Sequence, residues 1–412
     1  MIYKEVHRFL KRTSLLFFSG VMLMACTTTF EEVVHYNDIE LPYIKTFKQD
    51  TVTFDKLKAE QARRILNLDE PSDVVTNHSL RSFRVDEIIQ VRSTSQSDSI
   101  RVTSYSAKTV YDVTMEVYLP EFDMYIPVAY MDSIPAFAQF EFKPSFTGKR
   151  INYRKEDGNF ISFHYPYFNP DELKPRLVSE DEHFKMLNEI DAKWTIRFSN
   201  YDWTAEKGDA GSQWRELRAI YAREWIVFVT NYAYMMTTEE YSHVLERYKE
   251  VMGTDLHDNG GTTFTPERYQ SEKIRFKQPR TFNCGQTGSS VGGLGGGSTW
   301  GVTHWNFYGH YASYSGWNAI THEFMHCMGY GHSSNMTYGG NGWPVFMEHL
   351  HVYLNINKRL PYTDRNLLGF HKPENAQYRN GGIDAGFMND TKTLNFYNTS
   401  KVTKYFKANP LN

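Results

Sequence analysis

The chain has 412 residues, which is long enough for more than one domain and a large buried core. Hydrophobic residues make up 41% of it and charged residues 23%, as in ordinary soluble globular proteins. Nucleic-acid binding usually requires a concentrated basic surface, and the net charge of -3 with a pI near 6.6 argues against one, so we expect no nucleic-acid partner.

The N-terminus has the parts of a secretion signal. Basic residues within positions 4–12 precede a hydrophobic run over 15–24, which is shorter than the about 20 apolar residues of a membrane-spanning helix. The run ends in Leu-Met-Ala-Cys at 23–26, which resembles the lipobox of bacterial lipoproteins. This resemblance implies that residues 1–25 are a signal peptide and that Cys26 carries lipid. The alternatives are an ordinary signal peptide and a buried N-terminal helix that happens to carry a cysteine. We therefore expect an exported protein anchored by lipid to a bacterial membrane, at the outer membrane or the cell surface.

Two cysteines remain after Cys26, namely Cys284 and Cys327. An exported protein can oxidise such a pair to a disulfide. The sequence alone does not place the two within bonding distance, so their pairing stays open.

The first half of the chain is dominated by predicted strands. Residues 26–78 are predicted to be a tether and spacer with one helix over 54–66. Residues 79–178 are predicted to form a small antiparallel, sandwich-like β domain, because three stretches alternate or are rich in β-branched and aromatic residues. These stretches are 100–105, 110–119 and 137–142. None of them has catalytic spacing.

The second half, over 179–375, has a mixed pattern that predicts an α+β domain, and residues 376–412 are predicted to be a polar tail. The strand over 299–308 is a candidate edge that could pair with an extended substrate. The expected elements are a helix over 214–225, a strand over 226–230, a helix from the capping box at Thr237 and Glu240 to about 252, a strand over 274–276, a glycine-rich loop over 292–297, the strand over 299–308, and a helix that follows Pro344 to about 357.

The residues that carry chemistry lie within the segment 321–332. On a helix, His322 and His326 are one turn apart with β-carbons about 5–6 Å from each other, so both imidazoles can reach one zinc ion at about 2.0–2.1 Å. Glu323 follows His322 and flanks the metal, where it can take a proton from water whose pKa zinc lowers to about 7. The spacing therefore predicts a zinc site with a general base beside it.

Gly329 explains how a third ligand reaches the same ion. Glycine readily adopts the left-handed conformation that ends a helix, and the chain can then turn back towards the metal. On an uninterrupted helix, His332 would lie on the wrong face. Three neutral imidazoles leave a fourth position open for water or substrate, which is the arrangement of a catalytic zinc ion.

The pattern His-Glu-x-x-His-x-x-Gly-x-x-His over 322–332 resembles the zinc motif of the metzincin metallopeptidases. The resemblance covers this motif and its setting. It implies a metzincin-like catalytic domain over 179–375 and a zinc-dependent endopeptidase with Glu323 as general base. It also implies a methionine turn over 335–338, in which Met336 packs beneath the metal and Tyr338 stabilises the oxyanion. Met336 follows His332 after four residues, a shorter spacing than is usual in that family.

Two other interpretations remain open. Peptidases resembling the gluzincins, including the enhancin-like group, take the third ligand from a downstream glutamate, and Glu348 is such a candidate. The second is a non-catalytic surface lipoprotein that binds glycans or proteins. The aromatic content of 16% and the β domain support this interpretation. Glu323 argues against it, because zinc binding alone does not require that carboxylate. The expected partners are thus a protein or peptide substrate, glycoproteins included, and a membrane.

Overall fold

The computed structural model of this chain places strands mainly in the first half and helices mainly in the second, which confirms the predicted α+β class. The structure describes residues 44–48, 51–57, 60–66, 74, 77–94, 99–144, 146–148, 150–155, 157–198, 213–215, 217–288, 291–303, 306, 315–363 and 390–411.

The strands of the described residues are β1 (Ile44–Lys48), β2 (Thr51–Leu57), β3 (Glu60–Arg64), β4 (Ser82–Arg84), β5 (Ile89–Ser93), β6 (Ile100–Ser104), β7 (Val110–Leu119), β8 (Met124–Ile134), β9 (Ala138–Phe142), β10 (Arg150–Arg154), β11 (Phe160–His164), β12 (Arg176–Val178), β13 (Trp194–Phe198), β14 (Trp214–Arg215), β15 (Arg280–Thr287), β16 (Gly293–Gly296) and β17 (Thr299–Val302). The helices are α1 (Pro170–Leu173), α2 (Glu182–Asn188), α3 (Ala219–Met235), α4 (Glu239–Glu246), α5 (Tyr248–Met252), α6 (Pro266–Lys277), α7 (Ser315–Cys327), α8 (Trp343–Ile356), α9 (Asp390–Thr399) and α10 (Lys401–Ala408), with a 3-10 turn at His78–Leu80.

Two antiparallel sheets and a hairpin make up the β-rich region. One sheet has the order β12-β7-β8-β1-β2, the other has the order β3-β9-β6-β5, and β10 pairs with β11. The strands predicted at 100–105, 110–119 and 137–142 are confirmed as β6, β7 and β9. Along β7 the apolar residues at alternate positions are buried, because successive side chains of a strand point to opposite faces.

The helix predicted over 54–66 is wrong. This stretch forms β2 and β3, which pair with β1 and β9 respectively. Local helix propensity is a weak preference, and hydrogen bonds from a neighbouring strand override it here. Part of the predicted spacer thus belongs to the sheets of the β-rich region, since β1 also pairs with β8.

A third, mixed sheet supports the second half of the chain. Its order is β16-β17-β15-β13-β4, and β14 pairs with β15. The central strands β13, β15 and β17 run parallel to one another, whereas the outer strands β16 and β4 are antiparallel to their neighbours. Because β4 comes from the β-rich region, the two halves of the chain are joined through one sheet.

Helix α3 is buried along almost its whole length. It includes residues 226–230, so the strand predicted there is wrong, as is the helix start predicted at 214. A continuous apolar run is compatible with a buried strand or a buried helix, and packing decides between them. Here Trp225 lies 5.1 Å from Trp300 and Phe228 lies 4.5 Å from Trp317, measured between ring centroids.

Several of the remaining helices differ from the predictions. The single helix predicted to end near 252 is two helices, α4 and α5. Residues 274–276, predicted as a strand, lie inside α6, and the predicted polar tail includes α9 and α10. The helix predicted after Pro344 is confirmed as α8, with the proline in its first turn. The capping residue of α4 is Thr238, one position after the predicted one. Among the described helices, none combines the length and the hydrophobicity needed to cross a bilayer.

Candidate metal centre

Helix α7 carries the first two histidines, and an aromatic cluster fixes its orientation. Phe324 is fully buried, and its ring centroid lies 5.2 Å from those of Trp194 and Trp300. Phe324 and His322 are two residues apart, so they lie on roughly opposite sides of the helix. Packing of Phe324 against the mixed sheet therefore turns His322 away from the core.

The helix ends where the sequence predicts a reversal. Its last residue is Cys327, and Gly329 has φ 88°, in the left-handed region. The N–H of Tyr330 donates to the carbonyl of Met325 at 3.0 Å, and the N–H of Gly329 donates to the carbonyl of His326 at 3.0 Å. These two bonds form a Schellman cap, which satisfies carbonyls at the helix end and turns the chain back.

The reversal brings three imidazoles together. The Nε2 atom of His326 lies 3.0 Å from Nε2 of His322 and 2.9 Å from Nε2 of His332. The three potential ligand atoms all lie within 4.8 Å of one another. His322 is buried, His326 is half-buried and His332 is exposed, so the group opens to solvent on one side.

The hydrogen bonds of two rings make this group suitable for a metal. Nδ1 of His322 lies 2.7 Å from the carbonyl oxygen of Thr337, and Nδ1 of His326 lies 2.7 Å from the carbonyl oxygen of Tyr330. A carbonyl only accepts, so each Nδ1 carries the proton and each Nε2 presents a lone pair. Lone pairs converging at about 3 Å repel each other unless a cation lies between them. Zinc ligands show this pattern of outer hydrogen bonds.

The environment also favours the neutral form of these rings. Burial lowers the pKa of His322 and of His326 below the ordinary value of 6.5, although each hydrogen bond to a carbonyl acts in the opposite direction. Neutral imidazole is the form that binds a metal. The donor set therefore fits a zinc ion at ordinary pH.

Glu323 lies beside this group as a buried carboxyl. Its side chain is 11% exposed, and its Oε1 lies 4.0 Å from Nε2 of His322. Burial raises the pKa of Glu323 to about 7, and a hydrogen bond from the backbone N–H of Gly295 counteracts part of this rise. A carboxyl with such a pKa can both accept and release a proton near neutral pH.

The glycine-rich segment predicted as a loop over 292–297 contains strand β16, which lies against Glu323. A β-carbon at Gly293 would lie 2.5 Å from Cγ of Glu323, and one at Gly295 would lie 2.8 Å from its Cα. Only glycine lets the strand approach the helix this closely. Sequence reasoning missed the strand, although glycines at alternate positions are a signal for one face of a strand in close contact with its neighbour.

The substrate edge predicted over 299–308 is wrong in its position. Strand β17 covers 299–302 and has a neighbour on both sides, β16 and β15, so it is not an edge. The edge of the sheet on this side is β16. Of the other residues in that prediction, 304, 305, 307 and 308 lie outside the described residues.

The predicted methionine turn lies next to the histidines. Met336 is fully buried, and Thr337 supplies the carbonyl that accepts from His322. Tyr338 is 55% exposed, and its ring centroid lies 4.4 Å from that of His322 and 4.8 Å from that of His332. The turn thus places an exposed tyrosine at the mouth of the site.

Glu348, the alternative third ligand, lies on α8, which packs beside α7. Within the described residues, the group that could hold a metal consists of the three histidines and does not include it. Glu348 is half-buried on α8, and burial raises its pKa to about 7 against a hydrogen bond with Asn318. Asn318 precedes His322 by one helical turn.

The cysteines of the described chain do not pair. Cys284 and Cys327 are buried free thiols, and Sγ of Cys327 donates to the carbonyl of Thr299 at 2.9 Å. Cys26 lies outside the described residues.

Comparison of the chain with protein-family models, with curated proteins and with solved structures gives no match.

Proposed function

We propose that this protein is a zinc-dependent endopeptidase in which His322, His326 and His332 hold the metal and Glu323 is the general base. The observation that carries the proposal is the convergence of three Nε2 atoms, in which that of His326 lies 2.9–3.0 Å from the other two, while backbone carbonyls hold Nδ1 of His322 and His326. A group of three imidazoles leaves room for water or substrate, unlike a closed structural site with four protein ligands.

Each neighbouring residue has a defined part in the proposed reaction. A zinc ion held there would lower the pKa of water to about 7 and polarise the carbonyl of the substrate. Glu323 takes a proton from the attacking water and later donates it to the leaving amine. Without a metal, burial raises its pKa to about 7, and the positive charge of a zinc ion beside it would favour the carboxylate that the first step needs.

Tyr338 and Met336 complete the proposal. The hydroxyl of Tyr338 stabilises the oxyanion, a role that the ring's position 4.4–4.8 Å from His322 and His332 supports. Met336 is part of the buried turn that holds the Thr337 carbonyl against His322, and so it supports the site from below.

A lipid anchor on Cys26 is the second part of the proposal. Its support is the sequence alone: a basic head, a short hydrophobic run and the Leu-Met-Ala-Cys ending over 23–26. A Cys26→Ala variant expressed in a bacterial host should move from the membrane fraction to the soluble fraction. An unchanged distribution would refute the anchor and leave the peptidase proposal intact.

The test of the peptidase compares Glu323→Gln with wild type on an unbiased peptide library, with bound zinc measured in both proteins. General base catalysis contributes about 10²- to 10⁴-fold, so we expect kcat to fall by that factor while zinc content stays the same. Peptide cleavage that does not depend on Glu323, or a wild type that binds zinc and cleaves nothing, would contradict the proposal.

Glu348→Gln is the matched control for this substitution. It also replaces a carboxyl whose pKa burial raises to about 7 by its neutral isostere, but this carboxyl is half-buried on a neighbouring helix and outside the histidine group. We expect Glu348→Gln to cleave peptides at a rate within about twofold of wild type. Glu348 lies outside the proposed catalytic group, and substitutions away from such groups usually have small effects. An equal loss in both variants would mean that activity follows buried charge and not the base beside the metal.

A further inference from the structure

The loop over residues 255–263, here called the clamp loop, lies against the segment that follows α7. The side chain of Asn259 makes two hydrogen bonds to that segment. Its Nδ2 donates to the carbonyl of Gly329 at 3.1 Å, and its Oδ1 accepts from the N–H of Gly331 at 2.6 Å. One amide thus joins both glycines of the reversal that leads to His332.

A third hydrogen bond continues the contact beyond His332. The hydroxyl of Ser333 donates to the backbone carbonyl of Asn259 at 2.8 Å. The residues immediately before and after His332 are therefore both attached to Asn259. Because the two glycines give this segment unusual backbone freedom, these bonds restrict where the third imidazole can lie.

His332 needs this support more than the other two histidines. His322 and His326 each donate from Nδ1 to a backbone carbonyl, which orients their rings. Within the part of the chain that the structure describes, no such bond is seen for His332, which is also the exposed member of the group. Its position must come from its backbone and its ring contacts.

The clamp loop is itself held in place. Oδ1 of Asp258 accepts from the N–H groups of Gly260 at 2.9 Å and Thr262 at 3.0 Å, which closes a tight turn. The N–H of His257 donates to Oδ1 of Asn335 at 2.8 Å, and this links the loop to the methionine turn. Asn259 is therefore presented from a fixed loop.

We propose that Asn259 is a positioning residue for the third metal ligand: by bonding to both sides of His332 it holds that imidazole where it meets the other two. This inference rests on the proposed metal site. His322 and His326 are oriented by hydrogen bonds of their own rings. For His332, in contrast, Asn259 holds the backbone on either side of the ligand. Asn259 is exposed, so its side chain is not needed to fill the core.

The test measures zinc affinity of Asn259→Ala in the full chain by competition with a chromogenic chelator. Loss of outer-shell partners typically weakens metal binding by about 10- to 100-fold, and we expect a dissociation constant raised by that factor. The melting temperature of the metal-free protein should not change. With cobalt(II) in place of zinc, the visible absorption of the variant should differ from that of wild type, because the metal's surroundings have altered.

Asn357→Ala is the matched control. Asn357 is also exposed, and its Nδ2 also donates to a backbone carbonyl, that of Tyr353 at 2.7 Å, at the end of α8. It should keep wild-type zinc affinity. Asn259→Asp keeps the acceptor for Gly331 and should recover part of the lost affinity.

The outcomes separate this inference from the proposed function. If wild type and His326→Ala bind zinc equally, the metal site itself is refuted. If His326→Ala loses zinc while Asn259→Ala binds it like wild type and gives the same cobalt spectrum, only the positioning role is refuted. A drop in metal-free melting temperature without a change in zinc affinity would assign Asn259 to folding and overturn the inference as well.

Discussion

Two neighbouring helices each carry one glutamate that is shielded from water, Glu323 buried and Glu348 half-buried, and the comparison of these two regions shows what makes a candidate base. Glu323 on α7 and Glu348 on α8 both have a pKa of about 7, and in both burial is the main cause. Their neighbours differ. Glu323 lies 4.0 Å from a histidine of the converging group, whereas Glu348 is bonded to the amide of Asn318.

A raised pKa therefore does not identify a catalytic carboxyl by itself. Burial acts on any carboxyl that is removed from water, whatever its role. What distinguishes Glu323 is its position beside three imidazoles on one side and a glycine strand on the other. The candidate site is defined by this combination, which Glu348 does not share.

The largest expected effect concerns the choice of third ligand. His332→Ala removes one of the three converging nitrogen atoms. Loss of a residue that only hydrogen-bonds to a ligand weakens metal binding by up to about 100-fold, so loss of the ligand itself should weaken zinc binding by more than that. Glu348→Ala should bind zinc like wild type, because Glu348 is outside the group. Equilibrium dialysis with zinc measured by elemental analysis gives both values.

The opposite result for these two variants would exchange the roles of His332 and Glu348. If Glu348→Ala empties the site and His332→Ala leaves it filled, the ligand set is that of the gluzincin-like alternative. The structure would then have to rearrange around α8 when the metal binds. Phe324 and the aromatic cluster would still hold α7 as described.

A smaller effect is expected from the strand that covers Glu323. In Gly293→Ala the new methyl group would lie 2.5 Å from Cγ of Glu323, so the carboxyl must move. Displacement of a catalytic group by about 1 Å can cost about 100-fold, and we expect kcat to fall by about 10- to 100-fold with unchanged zinc content. Gly340→Ala is the control, since a β-carbon there meets nothing within 4 Å. Full activity of Gly293→Ala would show that β16 does not position the base.

The reversal after α7 was predictable from sequence because its causes are local. Residues 322–332 contain both the ligand spacing and the glycine that ends the helix, and Gly329 does adopt the left-handed conformation. The three histidines come together at this turn. Helix periodicity and the low cost of glycine in that conformation were sufficient physical grounds.

The surroundings of the site were not predictable in the same way, because they depend on contacts between distant parts of the chain. Strand β16 exists through its pairing with β17 and its contact with α7, and a run of glycines does not say which elements those neighbours are. Helix α3 was mistaken for a strand over 226–230, since only the aromatic partners from other elements decide its form. The contact between Asn259 and the segment that carries His332 likewise joins residues far apart in sequence.

The smallest predicted effect is on stability, and it tests whether Glu348 is as shielded from water as its raised pKa indicates. The pKa of Glu348 is about 7 in the folded protein and 4.5 ordinarily, so the folded state binds the proton more tightly and stability falls as pH rises between these values. In Glu348→Gln this loss is absent, and the free energy of unfolding at pH 8 should exceed that of wild type by about 1–3 kcal/mol, allowing for partial exposure. Near pH 4.5 the two proteins should differ by less than about 0.5 kcal/mol. Urea unfolding with a chelator present, so that zinc does not contribute, measures both differences. Equal stability at pH 8 would mean that the Glu348 carboxyl is well solvated, and the resemblance between the two glutamates would then be only apparent.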